Sequence, residues 1–142
     1  MLIKLTPEQV SIYWPAIEEG IKKSLSTRTM WTQQGVKNML IGLMTGQIDC
    51  RFLISSDIIY GFVITRVIED PITGDKNLLI YSLYSSNRIP QEIWLEGAKE
   101  LREDAYARGC TKVVAYSSEP RVLEMAKKLG FKDTTRYLEY EV

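Results

Sequence analysis

The apolar residues change their spacing partway along the chain, and this change restricts the possible folds more than any other feature. Val10, Tyr13, Trp14, Ile17, Ile21 and Leu25 recur three or four residues apart, which predicts a helix with one apolar face. Thr6-Pro7-Glu8-Gln9 opens it with a capping hydroxyl, a proline at the first helical position and a glutamine three residues after the cap. Pro15 is expected to kink it. A short apolar strand, Leu2 to Leu5, comes before it. Val36, Met39, Leu40, Leu43 and Met44 repeat the helical spacing from near Thr32 to near Gly46. From Cys50 to Arg66 the pattern shifts to short runs of Ile, Phe, Val and Tyr split by Ser55-Ser56-Asp57, which predicts two antiparallel strands in a hairpin.

A polar turn, Glu69 to Asn77, leads into Leu78–Tyr84, an almost continuous apolar run expected of a mid-sheet strand covered on both faces. The helix after Pro90 runs to Arg108, places Ile93, Gly97, Leu101 and Ala105 on one face, and ends at Gly109. Val113-Val114-Ala115-Tyr116 then reads as a short buried strand. Strand, helix, strand implies a right-handed parallel crossover, so the sheet is mixed and the class α/β. A last helix, Glu119 to Leu129, is expected to bury Val122, Ala126 and Leu129 and to stop at Gly130 with Phe131 folded back on it. Residues Tyr137 to Val142 alternate, so a final strand should turn Leu138, Tyr140 and Val142 to the core and Glu139 and Glu141 to water. At 142 residues the chain is expected to form one domain, 1–142.

Composition removes several chemistries. The chain has no histidine, which excludes Ser-His-Asp and Cys-His catalysis and the common histidine metal ligations. Eighteen basic residues balance eighteen acidic ones, so no global field favours nucleic acid or an anionic membrane. Cys50 and Cys110 lie far apart without CxxC spacing and read as small buried residues, with no disulfide and no metal site. No apolar run approaches the roughly 20 residues of a membrane span, and MLIKLTPEQ has no signal-peptide pattern, so the expected location is the cytoplasm.

The order strand, two helices, three mainly antiparallel strands, helix, strand, helix, strand resembles the GNAT (Gcn5-related N-acetyltransferase) fold over nearly the whole chain. Ala107-Arg108-Gly109-Cys110-Thr111-Lys112-Val113-Val114 is similar to that family's helix-to-strand passage, and Ala126-Lys127-Lys128-Leu129-Gly130-Phe131 to its "K-x-L-G-F" helix ending. The resemblance implies a mixed sheet with about four helices and acetyl-CoA held where the central strand splays from its parallel neighbour. The strand end would be Leu83-Tyr84-Ser85. The pyrophosphate loop, Q/R-x-x-G-x-G/A, falls on Arg88-Ile89-Pro90-Gln91-Glu92-Ile93, where only Arg88 matches. Gln91 and Ile93 replace small residues that let backbone approach phosphate, Pro90 has no N–H, and Glu92 adds a negative charge.

The family's usual thiolate-protonating tyrosine corresponds to Ala126, and its asparagine near the last helix to Ser118. Tyr81, Tyr84 and Tyr116 lie on or near the strands flanking the implied gap; each is either a proton donor or core packing, with Tyr84 first choice. For the base, Glu69, Asp70 and Asp75 precede the central strand, while Glu139 and Glu141 lie on the last one. Arg88 and Arg121 are either phosphate contacts, as the resemblance implies, or solvated side chains. Ser24 to Trp31 corresponds to the acceptor-binding region, with Met30 and Trp31 either lining a pocket or anchoring the loop. Two functions follow from the resemblance. One is transfer of acetyl from acetyl-CoA to an amine of a small molecule or peptide. The other is a catalytically silent binding or structural protein, acting with a protein partner or as a homo-oligomer; the insertion-free form and altered loop resemble GNAT-like proteins of bacteriophages, including virion components.

Overall fold

A computed structural model describes residues 1–25, 32–117, 120–135 and 138–142. The elements run β1 (Leu2–Lys4), α1 (Pro7–Ser24), α2 (Gln33–Thr45), β2 (Ile48–Ser55), β3 (Ile58–Glu69), β4 (Lys76–Ser85), α3 (Gln91–Ala107), β5 (Lys112–Ala115) and α4 (Pro120–Lys128). The strands form one sheet in chain order; β1 through β4 pair antiparallel and β5 lies parallel to β4.

Local chemistry explains the helix boundaries. Thr6 Oγ1 accepts from the Gln9 amide at 3.2 Å and Gln9 Oε1 accepts from the Thr6 amide at 2.9 Å, a reciprocal cap that starts α1. α1 continues through Pro15 without a break. Thr32 Oγ1 caps α2 by accepting from the Gly35 amide at 2.9 Å, and Gly46 ends it at φ 80°, a conformation that favours glycine.

Alternation along the strands divides the core between the two sheet faces. Cys50 and Phe52 of β2, with Phe62 and Ile64 of β3, pack against Val10, Ile17 and Ile21 of α1 and Leu43 of α2. On the opposite face Leu53 meets Ile93 of α3, and Leu78 of β4 meets Leu101 and Ala105. The four apolar-face residues expected on α3, Ile93, Gly97, Leu101 and Ala105, are all buried. Both cysteines are buried as well.

Charge is also buried under α3. The Asp49 side chain is only 2% exposed and takes an ion pair from Arg108; its Oδ1 lies 3.1 Å from Lys4 Nζ. Arg51 on the same strand binds Asp104 of α3 at 2.9 Å and donates to Thr65 Oγ1 of β3 at 2.9 Å. Arg108 Nε closes the cluster on Asp104 at 3.2 Å. β1, β2 and β3 are thus fastened to the C-terminal end of α3.

The C-terminal third departs from expectation. β5 ends at Ala115 and is half exposed, not buried, and Tyr116 lies beyond it at 69% exposure. α4 buries no residue: Val122 is exposed, and Ala126 and Leu129 are only half-buried. Residues 138–142 form no strand, and Leu138, Tyr140 and Val142 point into solvent instead of the core. Among the described residues the sheet ends at β5, so neither α4 nor the tail has a further strand to cover. Alternation identifies a segment able to be a half-buried strand; it does not supply the neighbour. Ser118, Glu119 and Tyr137 lie outside the described residues.

Candidate functional site

β4 pairs with β3 along its full length, Lys76 to Ser85, but with β5 only from Asn77 to Ile80. Beyond Ile80 its other edge meets no strand among the described residues. The backbone N–H and C=O groups of Tyr81–Ser85 that point away from β3 therefore face a gap, where unpaired polar groups require a partner.

A β-bulge sits where pairing with β5 stops. Ile64 of β3 faces Ser82, while Thr65 faces Ile80, so Tyr81 is the extra residue. It reverses the phase of the strand. Before the bulge Leu78 and Ile80 point to α3; after it Ser82 and Tyr84 point to α1, opposite Ile64 and Phe62. Without the extra residue, period-two alternation would put all four on one face.

On the α1 side Ser82 is buried and its hydroxyl meets that of Ser24, the last residue of α1. Ser24 Oγ donates to the Ile21 carbonyl at 3.0 Å, so Ser82 is the donor of the pair. Tyr84 is half-buried, its ring 5.6 Å from that of Phe62. Gly20 of α1 makes room for both: a Cβ there would overlap the Phe62 ring and lie 2.8 Å from the Tyr84 ring. Lys23 is held above its ordinary pKa, first by its hydrogen bond to Glu19 and in lesser part by Tyr84.

The mouth of the gap is formed by the loop from Ser86 to Pro90 and the start of α3. Ser85 Oγ donates to the Asn87 carbonyl, and the Ser86 amide donates to Tyr60 O at 3.3 Å. Ile89 and Ile93 anchor the loop by packing against Leu53. The Ile93 and Trp94 amides both donate to Pro90 O at 3.1 Å, and α3 has no side-chain cap. The amides of Gln91 and Glu92 thus find no acceptor among the described residues. They are the donors a helix start offers an anion, but Glu92 carries its carboxylate in the same turn.

The expected site residues are consequently distributed as follows. Leu83, Tyr84, Ser85 and Tyr81 lie together along the free edge of β4, with Arg88, Gln91 and Glu92 exposed around the loop that follows. Ile93 supplies core packing, its N–H already committed. Arg121 is exposed on α4, Glu139 lies on the exposed tail, and Ser118, Met30 and Trp31 fall outside the described residues. Asp70 accepts the amides of Ile72 and Thr73 at 2.8 and 2.9 Å, so it builds its own turn, and those bonds, Thr73 first, hold its carboxyl below the usual range. Cys50 is pushed up to about 12 by burial, which makes its thiol inert as a nucleophile. Among the described residues no three Cys, Asp or Glu side chains come together as metal ligands do. No helix described is long and apolar enough to cross a membrane.

Sequence reasoning missed the bulge and the Ser24–Ser82 contact. Neither has a signature of its own, since a bulge shows only once the register of both strands is known.

This architecture is the GNAT acetyltransferase fold. A predicted acetyltransferase from Clostridium acetobutylicum, solved with acetyl-CoA, superposes with a TM-score of 0.70 at 17% identity, covering 99% of this chain and 95% of that one. An aminoglycoside acetyltransferase from an uncultured soil metagenomic sample, solved with sisomicin, gives 0.72 at 13% identity over 100% and 95%. A transcriptional regulator from Bacillus halodurans C-125 gives 0.74 at 14% identity over 100% and 99%. No family model matches the sequence, and no curated protein matches it.

Proposed function

We propose that this protein is an N-acyltransferase that moves acetyl from acetyl-CoA to an amine in a direct ternary complex, in the cytoplasm. The observation that carries this reading is the free edge of β4 from Tyr81 to Ser85, opened where β5 ends at Ala115. A pantetheine arm is an amide chain, and an unpaired strand edge is suited to hydrogen-bond it. The structures solved with acetyl-CoA and with an aminoglycoside lend the reading its substrate classes.

The Tyr81–Ser85 backbone orients the thioester. The amides of Gln91 and Glu92, with Arg88 and Arg121, receive the phosphates. Tyr84, or Tyr81 at the bulge, supplies the proton that the thiolate takes up, in the place of the tyrosine replaced by Ala126. Glu139 is the proposed base. Direct transfer is what the resemblance implies, and the burial of both thiols, Cys50 and Cys110, is in keeping with it.

A second reading, a GNAT-fold binding or structural protein without catalysis, is favoured by one feature. Pro90 and Glu92 make the start of α3 a poor diphosphate cradle, since one lacks an N–H and the other repels the charge.

Titrating acetyl-CoA into isotope-labelled protein and following backbone amide resonances separates the two. The expected result is shifts concentrated at Tyr81–Ser85 and Gln91–Ile93, with thiol release when a panel of amines is then added. Shifts at the gap without thiol release for any amine would favour the silent reading. Absence of shifts at those residues would remove the acetyl-CoA site.

A further inference from the structure

The bulge at Tyr81 turns Ser82 and Tyr84 toward α1, and the residues of α1 that meet them lie within one turn of each other. Gly20 passes close to the Tyr84 ring, where a Cβ would lie 2.8 Å from it, and Ser24, four positions on, meets the Ser82 hydroxyl. Residues three and four apart share a helix face, so Lys23, three positions after Gly20, stands on the face that α1 turns to β4. Its ammonium hydrogen-bonds the Tyr84 hydroxyl. Glu19 Oε1 holds the same ammonium at 3.1 Å, in the favourable order of acid before base along the helix.

This contact has a fixed polarity. An ammonium group only donates, so the phenol oxygen accepts from Lys23 and the phenol hydrogen must turn elsewhere. The ring itself is confined by Phe62, 5.6 Å away, and by the close approach of Gly20. Rotation about the C–O bond is therefore the freedom the hydroxyl retains, and Lys23 restricts it. Tyr84 also lies on the stretch of β4 whose other edge, beyond Ile80, pairs with no strand among the described residues.

We infer that Lys23 is a positioning residue for acetyl transfer: its ammonium turns the Tyr84 phenol hydrogen toward the gap and faces the charge left on the phenol oxygen when that hydrogen is given up. The inference rests on the reading of Tyr84 as proton donor to the CoA thiolate. In that step the bond between sulfur and the acetyl carbon breaks, and its electron pair goes to sulfur. The Tyr84 O–H bond breaks as an S–H bond forms, and the phenolate stands opposite Lys23 until a proton from water restores the phenol. A hydrogen bond strengthens when its acceptor becomes an anion, so Lys23 acts more on the transition state than on the resting complex. Its side chain is 56% exposed, so water answers part of the charge and the effect is modest.

The test uses Lys23→Met, Lys23→Arg and Tyr84→Phe in the full chain, with tyrosine isotope-labelled at the ring ζ-carbon. That carbon bears the hydroxyl, its resonance follows the hydrogen bond, and the Tyr84 signal is the one that Tyr84→Phe removes. Lys23→Met is expected to move this resonance and to lower kcat for thiol release by about three- to tenfold, with KM for acetyl-CoA unchanged; a general acid as a whole supplies roughly a hundredfold or more. Lys23→Arg is expected to keep most of the rate, because a guanidinium also only donates. In the Tyr84→Phe background, Lys23→Met is expected to change nothing further. An unmoved resonance in Lys23→Met, or an equal loss of kcat with and without the phenol, would overturn the inference. A resonance that moves while kcat stays would overturn it too. If the unmodified protein releases no thiol for any amine, the acyltransferase reading fails and the inference with it, and the resonance still reports separately whether Lys23 holds the phenol.

Discussion

Asp49→Asn is expected to destabilise the protein by about 3 kcal/mol, which lowers the midpoint of thermal unfolding by roughly 10 °C. The carboxylate is almost fully buried and answers Arg108 and Lys4, with Arg51 Nη2 a further 3.8 Å away. Removing its charge takes the carboxylate from Lys4 and leaves Arg51 and Arg108 to share Asp104. The value is placed at the low end for a broken buried pair because the Arg108 and Lys4 side chains, 27% and 55% exposed, can turn to water. Burial alone would raise the carboxyl's pKa, but the hydrogen bonds from Arg108 and Lys4 outweigh it and hold the group below its usual value of 3.8. A depressed folded pKa contributes stability above the unfolded value, about 4, and loses it as the pH falls through the folded value. The unmodified protein should therefore lose stability on acidification below about pH 4 more steeply than the variant. Parallel pH profiles, or a midpoint change of a degree or two, would show that water already screens the cluster.

Gly61→Ala is expected to have the second large effect, and to disturb the gap as well as the fold. A Cβ at Gly61 would press on the Tyr84 carbonyl oxygen and lie 2.9 Å from Ser85 Cα. Both are backbone, so no rotamer change relieves the clash and the end of β4 must move. Overpacking of this kind destabilises by about 1–3 kcal/mol, and the upper part of that range is expected here. Because the displaced residues are the free edge itself, acetyl-CoA affinity should fall further than stability does, by roughly tenfold to a hundredfold. Gly97→Ala is the control. Its Cβ would meet Leu53 at an ordinary 3.5 Å, and alanine favours a helix over glycine by up to about 1 kcal/mol, so stability should hold or rise and binding should not change. Chemical denaturation and acetyl-CoA titration of the three proteins check this. Equal behaviour of the two variants would contradict the close approach at Gly61.

Where local chemistry decides structure, the sequence was readable. The Thr6–Gln9 cap, the stop at Gly46 and the buried stripe on α3 were evident because capping and period act over a few residues. The order of elements implied the fold, and the end of β4 was expected to border the gap. Asp49 was not foreseen as a buried charge, since an isolated acid in an apolar strand acquires meaning only from Arg108, 59 positions away. The bulge at Tyr81 was hidden for the same reason: it is a property of two strands in register. The C-terminal strand failed differently. Its alternation is real, yet a strand also requires a pairing partner, and residues 138–142 join none of the described strands.

Thermal unfolding with and without acetyl-CoA asks whether the free edge of β4 holds the cofactor. Binding to the folded state alone adds about 2.7 kcal/mol at a hundredfold excess over the dissociation constant, a rise of roughly 5–10 °C for a chain of this size. Since Pro90 and Glu92 weaken the phosphate cradle, the hold must come from the β4 edge on the pantetheine. That rise is therefore expected with acetyl-CoA, and little or none with a nucleotide lacking pantetheine. An unchanged midpoint at millimolar acetyl-CoA would contradict it.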